Sequence, residues 1–226
     1  MKTILVTLCF LAVLLVPLIR AAEPESTGDW IDLLASRDLD DWDHYFGNAS
    51  AKKERTWSFT EEGVLVCTGR PIGYLATKKE YKNFILVVEW RWPTEADDKW
   101  PNSGVQFRIS GEPMVIPNGF EAQLRPRDAG AIYSLQGKEM NGDGMIQRTN
   151  RQGNIVRIIP RKLDAQNPKG EWNKYVITVI DDEIVVEMNG QEVNRATGAD
   201  ATPGQVALQS EGGLIEFRTV KINSLD

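Results

Sequence analysis

The sequence predicts an all-β domain, either a two-sheet sandwich or a barrel. Three observations carry that prediction: apolar residues recur with period two, turn signals separate the apolar runs at short intervals, and a single short stretch has a helical pattern. That stretch is Ile31–Leu39. Strands are then expected at Val64–Cys67, at Tyr74–Thr77 and over Phe84–Trp92, a run rich in β-branched and aromatic residues that stops at Pro93. The later candidates are Ser103–Ile109, Phe120–Leu124, Ala131–Leu135, Ile155–Ile159, Lys174–Ile180, Glu183–Met188, Gln205–Gln209 and Leu214–Ile222. Between them stand Glu62-Gly63, Pro117-Asn118-Gly119, Asn141-Gly142-Asp143-Gly144, Asp181-Asp182, Asn189-Gly190 and Gly212-Gly213, all turn-forming sequences.

Ahead of this domain lies a targeting pattern. Lys2 precedes an apolar run from Ile4 to Ile19, which Arg20, Ala21 and Ala22 follow, as an export signal over residues 1–22 requires. The competing reading is a membrane anchor; the run is shorter than the roughly 20 residues a bilayer span needs, and Pro17 interrupts it. Residues 23–28 read as a polar linker and 29–226 as one domain, with a periplasmic or extracellular location and no membrane contact after cleavage. Cleavage would remove Lys2, Arg20 and Cys9, leaving one cysteine, Cys67, and no intrachain disulfide. A formal net charge of −6, with no cluster of Lys and Arg free of nearby acids, argues against a nucleic-acid partner.

Strand parity divides several strands into an apolar and a polar set. Phe84, Leu86, Val88 and Trp90 oppose Glu89 and Arg91; Val105, Phe107 and Ile109 oppose Gln106 and Arg108; Phe120, Ala122 and Leu124 oppose Glu121, Gln123 and Arg125. Near the C terminus Val206 and Leu208 oppose Gln209. A solvated outer face is the ordinary explanation of such alternation. Here, however, the polar set consists of planar Glu, Gln and Arg groups, and Trp92, Trp100, Tyr74 and Tyr133 lie nearby in the sequence. Planar hydrogen-bonding groups beside flat rings suit a sugar, which offers hydroxyls at its edge and C–H groups on its face. The face is therefore read as a concave carbohydrate-binding sheet, on which Glu89, Arg108, Glu121 and Gln123 should converge, with Gln106, Arg125, Trp92 and Tyr133 as further contacts.

The chemistry is narrowed by what is scarce. The one histidine, His44, reads as a loop residue, which excludes a His-rich zinc site and any catalytic triad that does not use His44 itself. Positions 123 and 125 hold Gln and Arg, so Glu121 lacks a carboxylate partner on its own strand of the kind a retaining glycosidase uses. Asp97-Asp98 and Asn141–Gly144 read as turns rather than calcium loops, and Cys67 as a core residue. No cofactor is expected, although a divalent ion such as calcium stays open.

Taken in order, Asn102-Ser103-Gly104-Val105 with Arg108, Gly119–Leu124, Glu171-Trp172-Asn173, Met188-Asn189-Gly190, Leu208–Gly212 and Ile215–Arg218, together with Glu89-Trp90-Arg91, resemble the 3-keto-disaccharide hydrolase family. The resemblance spans about Trp30 to Asn223. It implies a concanavalin A-like jelly roll and an exported protein that cleaves glycosides whose sugar is a ketone at C3. Such a ketone acidifies the C2 proton, so a base can remove it, the C1 oxygen is expelled, and water then adds back. On this reading Glu121 or Glu89 is the base and Arg108 or Arg91 stabilises the enolate, while Asn102, Gln123 and Gln209 orient hydroxyls. The less closely ion-paired Glu is the better base. One departure is that many members carry Asp where Arg125 stands. A non-catalytic carbohydrate-binding module or lectin is the alternative, and a structural surface domain a third.

Overall fold

The computed structural model of the protein describes residues 29–96 and 101–226. The expected signal, the linker, Asp97-Asp98 and Trp100 lie outside the described residues. The chain runs through β1 (Ile31–Asp32), β2 (Trp42–Phe46), α1 (Lys53–Thr56), β3 (Trp57–Phe59), β4 (Leu65–Cys67), β5 (Gly73–Tyr81), β6 (Phe84–Arg91), β7 (Gly104–Ile109) and β8 (Phe120–Gln123). It continues as β9 (Ile132–Ser134), β10 (Ile146–Thr149), β11 (Ile155–Ile159), β12 (Asn173–Ile180), β13 (Glu183–Met188), β14 (Gln191–Ala196), β15 (Gly204–Ser210) and β16 (Ile215–Ser224). The described residues form two antiparallel sheets. One has the order β14-β13-β12-β6-β16-β4-β3, with β1 also paired to β16; the other has the order β10-β11-β9-β8-β7-β15-β5-β2.

The core lies between the sheets and is built from the apolar parity sets. Phe84, Leu86, Val88, Trp90, Tyr175, Ile177, Phe217 and Val220 of the first sheet meet Leu75, Val105, Phe107, Phe120, Ala122, Val206 and Leu208 of the second. Edge-on aromatic contacts such as Phe84 with Phe107 join the two layers. Two core side chains also hydrogen-bond across them. The Tyr175 hydroxyl donates to the Gln123 carbonyl at 2.6 Å, and the Trp92 indole N–H donates to the Leu124 carbonyl at 3.1 Å. Trp92, expected to touch substrate, is thus largely buried with its polar edge engaged, and it also lines a cavity together with Pro101 and Pro126.

All the expected strands form, with shifted ends. Asn189-Gly190 turns the chain from β13 into β14 with φ of +52° and +81°, the positive angles that favour these residue types in a tight hairpin. The expected helix at Ile31–Leu39 does not form. Its first two residues pair with β16, and the Asp32 carboxylate then accepts the Leu34 N–H at 3.0 Å, a local turn that competes with helix. Four strands of three or more residues were not foreseen. In β2 only the terminal Trp42 and Phe46 enter the core, β3 has three residues, β10 is exposed throughout, and β14 is mostly polar. His44 accordingly stands exposed on an edge strand, not in a loop.

Candidate active site

The outer face of the second sheet carries the candidate site. Parity turns Gln106 of β7, Glu121 and Gln123 of β8, Tyr133 of β9 and Gln209 of β15 away from the core. Register sets Glu121 between Gln106 and Tyr133, and Gln123 opposite Gly104. Because Leu208 lies opposite Val105, Gln209 falls beside Gly104 as well. This is not a solvated face: Gln106, Glu121, Gln123 and Gln209 are 0, 3, 4 and 2% exposed.

Glu121 leans across Gly104. A methyl group placed on that glycine would lie 2.4 Å from the Glu121 carboxyl carbon, so the missing side chain is what admits the carboxyl. Its two oxygens accept from the amides of Gln106 at 3.0 Å and Gln123 at 2.9 Å. Gln123 is itself held in place, because its carbonyl oxygen accepts the N–H groups of Leu124 and Arg125 at 2.9 and 2.8 Å. Neutral amides therefore hold Glu121, and among the described residues it forms no ion pair. Burial pushes its pKa up to about 7; the Gln106 hydrogen bond opposes that rise, and the charge of Glu211 adds to it.

Three buried oxygens around this carboxyl have no partner: Gln106 Oε1, Gln209 Oε1 and Asn102 Oδ1. Leaving a buried acceptor unmade costs about 1–3 kcal/mol, so these oxygens need donors, which a bound water or a ligand hydroxyl supplies. The Asn102 amide N–H donates to Glu211 at 2.7 Å, and burial raises the Glu211 pKa against the opposing charges of Arg125 and Arg70. At the rim, Tyr133 donates to Asp128 at 2.8 Å, and exposed Arg125 pairs with the same carboxylate. A cavity of about 360 Å³ has Trp92, Pro101, Pro126, Arg127, Asn167 and Lys169 among its lining residues. Pro101 and Pro126 adjoin Asn102 and Arg125 in the chain.

The expected convergence is only partial. Glu121, Gln106, Gln123, Gln209, Asn102, Arg125 and Tyr133 gather on this face; Glu89, Arg91 and Arg108 do not. Glu89 and Arg91 belong to β6 of the other sheet and point outward there. Glu89 accepts from Arg218 at 2.9 and 3.1 Å and from the Thr219 hydroxyl, while Arg91 pairs with Glu216. Trp172 lies against both guanidiniums, 4.5 Å from Arg91 and 4.6 Å from Arg218. Burial raises the Glu89 pKa, but its Arg218 and Thr219 hydrogen bonds outweigh that and leave it below the ordinary value. A carboxylate so paired is a poor base.

Arg108 departs for a different reason. Gln205 lies opposite Ile109 and Ala207 opposite Gln106, so β7 carries one more residue than β15 at this point, and Arg108 takes φ +49°. The bulge carries the guanidinium to the Lys82 carbonyl at 2.7 and 3.0 Å and to the Asp200 carbonyl at 3.1 Å. Arg108 is fully buried as a structural donor there. Two acids enter the site that parity did not single out. Glu211 stands two positions beyond Gln209, inside the motif noted above, and its signal was that spacing; Asp128 sits in a loop, where no periodicity could reveal it. Among the described residues no three His, Cys, Asp or Glu side chains form a metal-binding group.

Residues 29–223 match the family model described as the 3-keto-alpha-glucoside-1,2-lyase-like domain. Curated protein sequences give no match. Among solved structures, a candidate glycosyl hydrolase of Parabacteroides distasonis ATCC 8503 is similar at 21% identity and TM-score 0.62, covering 87% of this chain and 100% of that one. The carbohydrate-binding module CBM66 of Bacillus subtilis has 14% identity and TM-score 0.58, over 81% and 96% of the two chains. The β-glucanase of Bacillus licheniformis has 13% identity and TM-score 0.57, over 88% and 99%. At these identities the likeness is one of fold, the concanavalin A-like jelly roll.

Proposed function

The chain belongs to the 3-keto-alpha-glucoside-1,2-lyase-like domain family, and from that premise we propose that it is an exported enzyme cleaving 3-keto-glycosides by elimination followed by hydration. One observation carries the reading: Glu121 is buried, held by neutral amides and free of ion pairing, with a pKa raised to about 7. A base of that strength is well matched to a proton acidified by a neighbouring ketone.

In the first step the Glu121 carboxylate takes the C2 proton. The C2–H electron pair forms the C1–C2 double bond, and the C1–O pair leaves with the glycosidic oxygen, which acquires a proton. Water then adds as hydroxyl to C1 while Glu121 returns the proton to C2, and the proton that water gives up replaces the one taken by the leaving oxygen. No nucleophilic carboxylate takes part, which fits the absence of a second acid on the β8 face beside Glu121. The unpartnered oxygens of Gln106, Gln209 and Asn102 would accept sugar hydroxyls. Arg125, whose charge acts on both Glu121 and Glu211, supplies positive field for the developing enolate, the part first assigned to Arg108 or Arg91. The cavity beside Pro101 and Pro126 gives room for the leaving group.

The test is to incubate the purified protein with a 3-keto-glucoside and with the same glucoside unoxidised, and to measure released alcohol. Release from the keto form alone, reduced about 10²- to 10⁴-fold in Glu121→Gln, is the expected result. Equal release from both forms, or an undiminished variant, would sink the reading; tight binding without release would favour the carbohydrate-binding module. Export is checked separately by N-terminal sequencing of protein recovered outside the cytoplasm, where the chain should begin near Ala22 or Glu23.

A further inference from the structure

Elimination needs a proton for the departing oxygen as well as a base for C2, and a good base is not by itself a proton source. The geometry around Glu121 points past its own strand. Its carboxyl lies over Gly104 of β7, and the next strand, β15, brings Gln209 beside that glycine and leads directly into Glu211. Glu211 is anchored: the Asn102 amide N–H donates to it at 2.7 Å, and a backbone bridge pairs Asn102 with Gly212. Beside it lie the two unpartnered oxygens Gln209 Oε1 and Asn102 Oδ1, both buried. Those acceptors are free to take a hydrogen bond from a water or a ligand hydroxyl at this end of the site. Glu211 is also more accessible than Glu121, partly exposed against 3% for Glu121. Such a difference suits an acid that meets the leaving group and a base enclosed beneath the sugar ring.

We propose that Glu211 is the second catalytic residue, the acid that protonates the leaving glycosidic oxygen as Glu121 removes the C2 proton. The inference rests on the elimination reading above. As the C1–O bond breaks, the Glu211 O–H proton passes to the departing oxygen and the alcohol leaves. Water entering at C1 in the hydration step then gives one proton back to Glu211, while C2 receives the proton held by Glu121. The balance is one glycoside and one water consumed, one 3-keto sugar and one alcohol formed, with both carboxyls restored. Burial favours protonated Glu211, whereas the charges of Arg125 and Arg70 and a hydrogen bond with Gln209 oppose it.

A pair of 3-keto-glucosides with different leaving groups tests this. A nitrophenolate leaves without protonation, whereas an alkoxide or a second sugar does not. Glu211→Gln should slow release of the alkyl or sugar leaving group by about 10²-fold or more and release of nitrophenol by less than about tenfold. Glu211→Asp, which keeps a carboxylic acid but draws it back from the leaving oxygen, should show the same selectivity with a smaller loss; it carries the test if Glu211→Gln does not fold. Equal loss on both substrates, or none on either, would overturn the assignment of Glu211 while leaving Glu121 as base. Wild-type protein that releases neither leaving group would overturn the elimination reading itself.

Discussion

At the scale of single residues, Glu121 and Gly104 act as one unit. The end of the Glu121 side chain occupies the space a Cβ at position 104 would take, with its Cγ, Cδ and Oε1 within 2.4–2.7 Å of that position. Gly104→Ala should therefore push the carboxyl off its Gln106 and Gln123 amides and lower kcat/KM about 10²-fold, a loss to be measured on the 3-keto substrate beside an unchanged far-ultraviolet circular dichroism spectrum. The raised pKa also has a stability consequence. Glu121 binds its proton more tightly folded than unfolded, so the folded chain holds more protons between about pH 4.5 and pH 7. Stability from this group is fully present below the unfolded pKa and is lost as pH rises through about 7. The loss is on the order of 3 kcal/mol. Glu121→Gln should remove that dependence and raise the melting temperature at pH 8 relative to wild type, with little change at pH 4.5. Catalysis runs the other way: on a nitrophenyl 3-keto-glucoside, whose leaving group needs no acid, kcat/KM should increase as pH rises through about 7 and the base loses its proton.

At the scale of elements, the bulge in β7 decides which side chains the site receives. Simple alternation places Arg108 on the same face as Gln106, but one extra residue sends it to the Lys82 and Asp200 carbonyls. Arg108→Ala would remove three hydrogen bonds to the Lys82 and Asp200 carbonyls, and should cost about 2–3 kcal/mol in chemical denaturation. If Arg108 stabilised the enolate, the same change would also reduce kcat by orders of magnitude; a nearly unchanged kcat for the folded variant is expected instead. A second bulge has a related effect in β16. Its register to β6 shifts between Phe217 and Thr219, so Arg218 and Thr219 both face outward and both reach Glu89. The polar set of β6 was legible as a surface, but the sheet to which it belongs was not. Glu-Trp-Arg and Phe-Glu-Ala-Gln-Leu-Arg alternate in the same way, and alternation carries no record of which layer a strand joins.

At the scale of the molecule, the two layers hold together without a disulfide, through the aromatic core and the cross-layer bonds of Tyr175 and Trp92. Cys67 is buried in that core, where desolvation pushes its thiol up to about 12. A thiol reagent should therefore label Cys67 only as denaturant unfolds the chain, with labelling and loss of tryptophan fluorescence sharing one midpoint. Labelling in native buffer would contradict this packing. By itself the sequence determined the all-β class, the strands with strong apolar alternation, the core set and the polar set that includes Glu121, Gln106, Gln123 and Gln209. These are properties of neighbours along one strand, and a period of two records them. Only the tertiary structure decided that Glu89 and Arg91 lie on the opposite layer, that Arg108 leaves the face through a bulge, and that Trp92 closes the core. It alone placed Glu211 and Asp128 beside Glu121. The reason is physical: sheet membership, bulges and the meeting of loops depend on contacts between residues far apart in the chain, and on which buried polar groups find partners there.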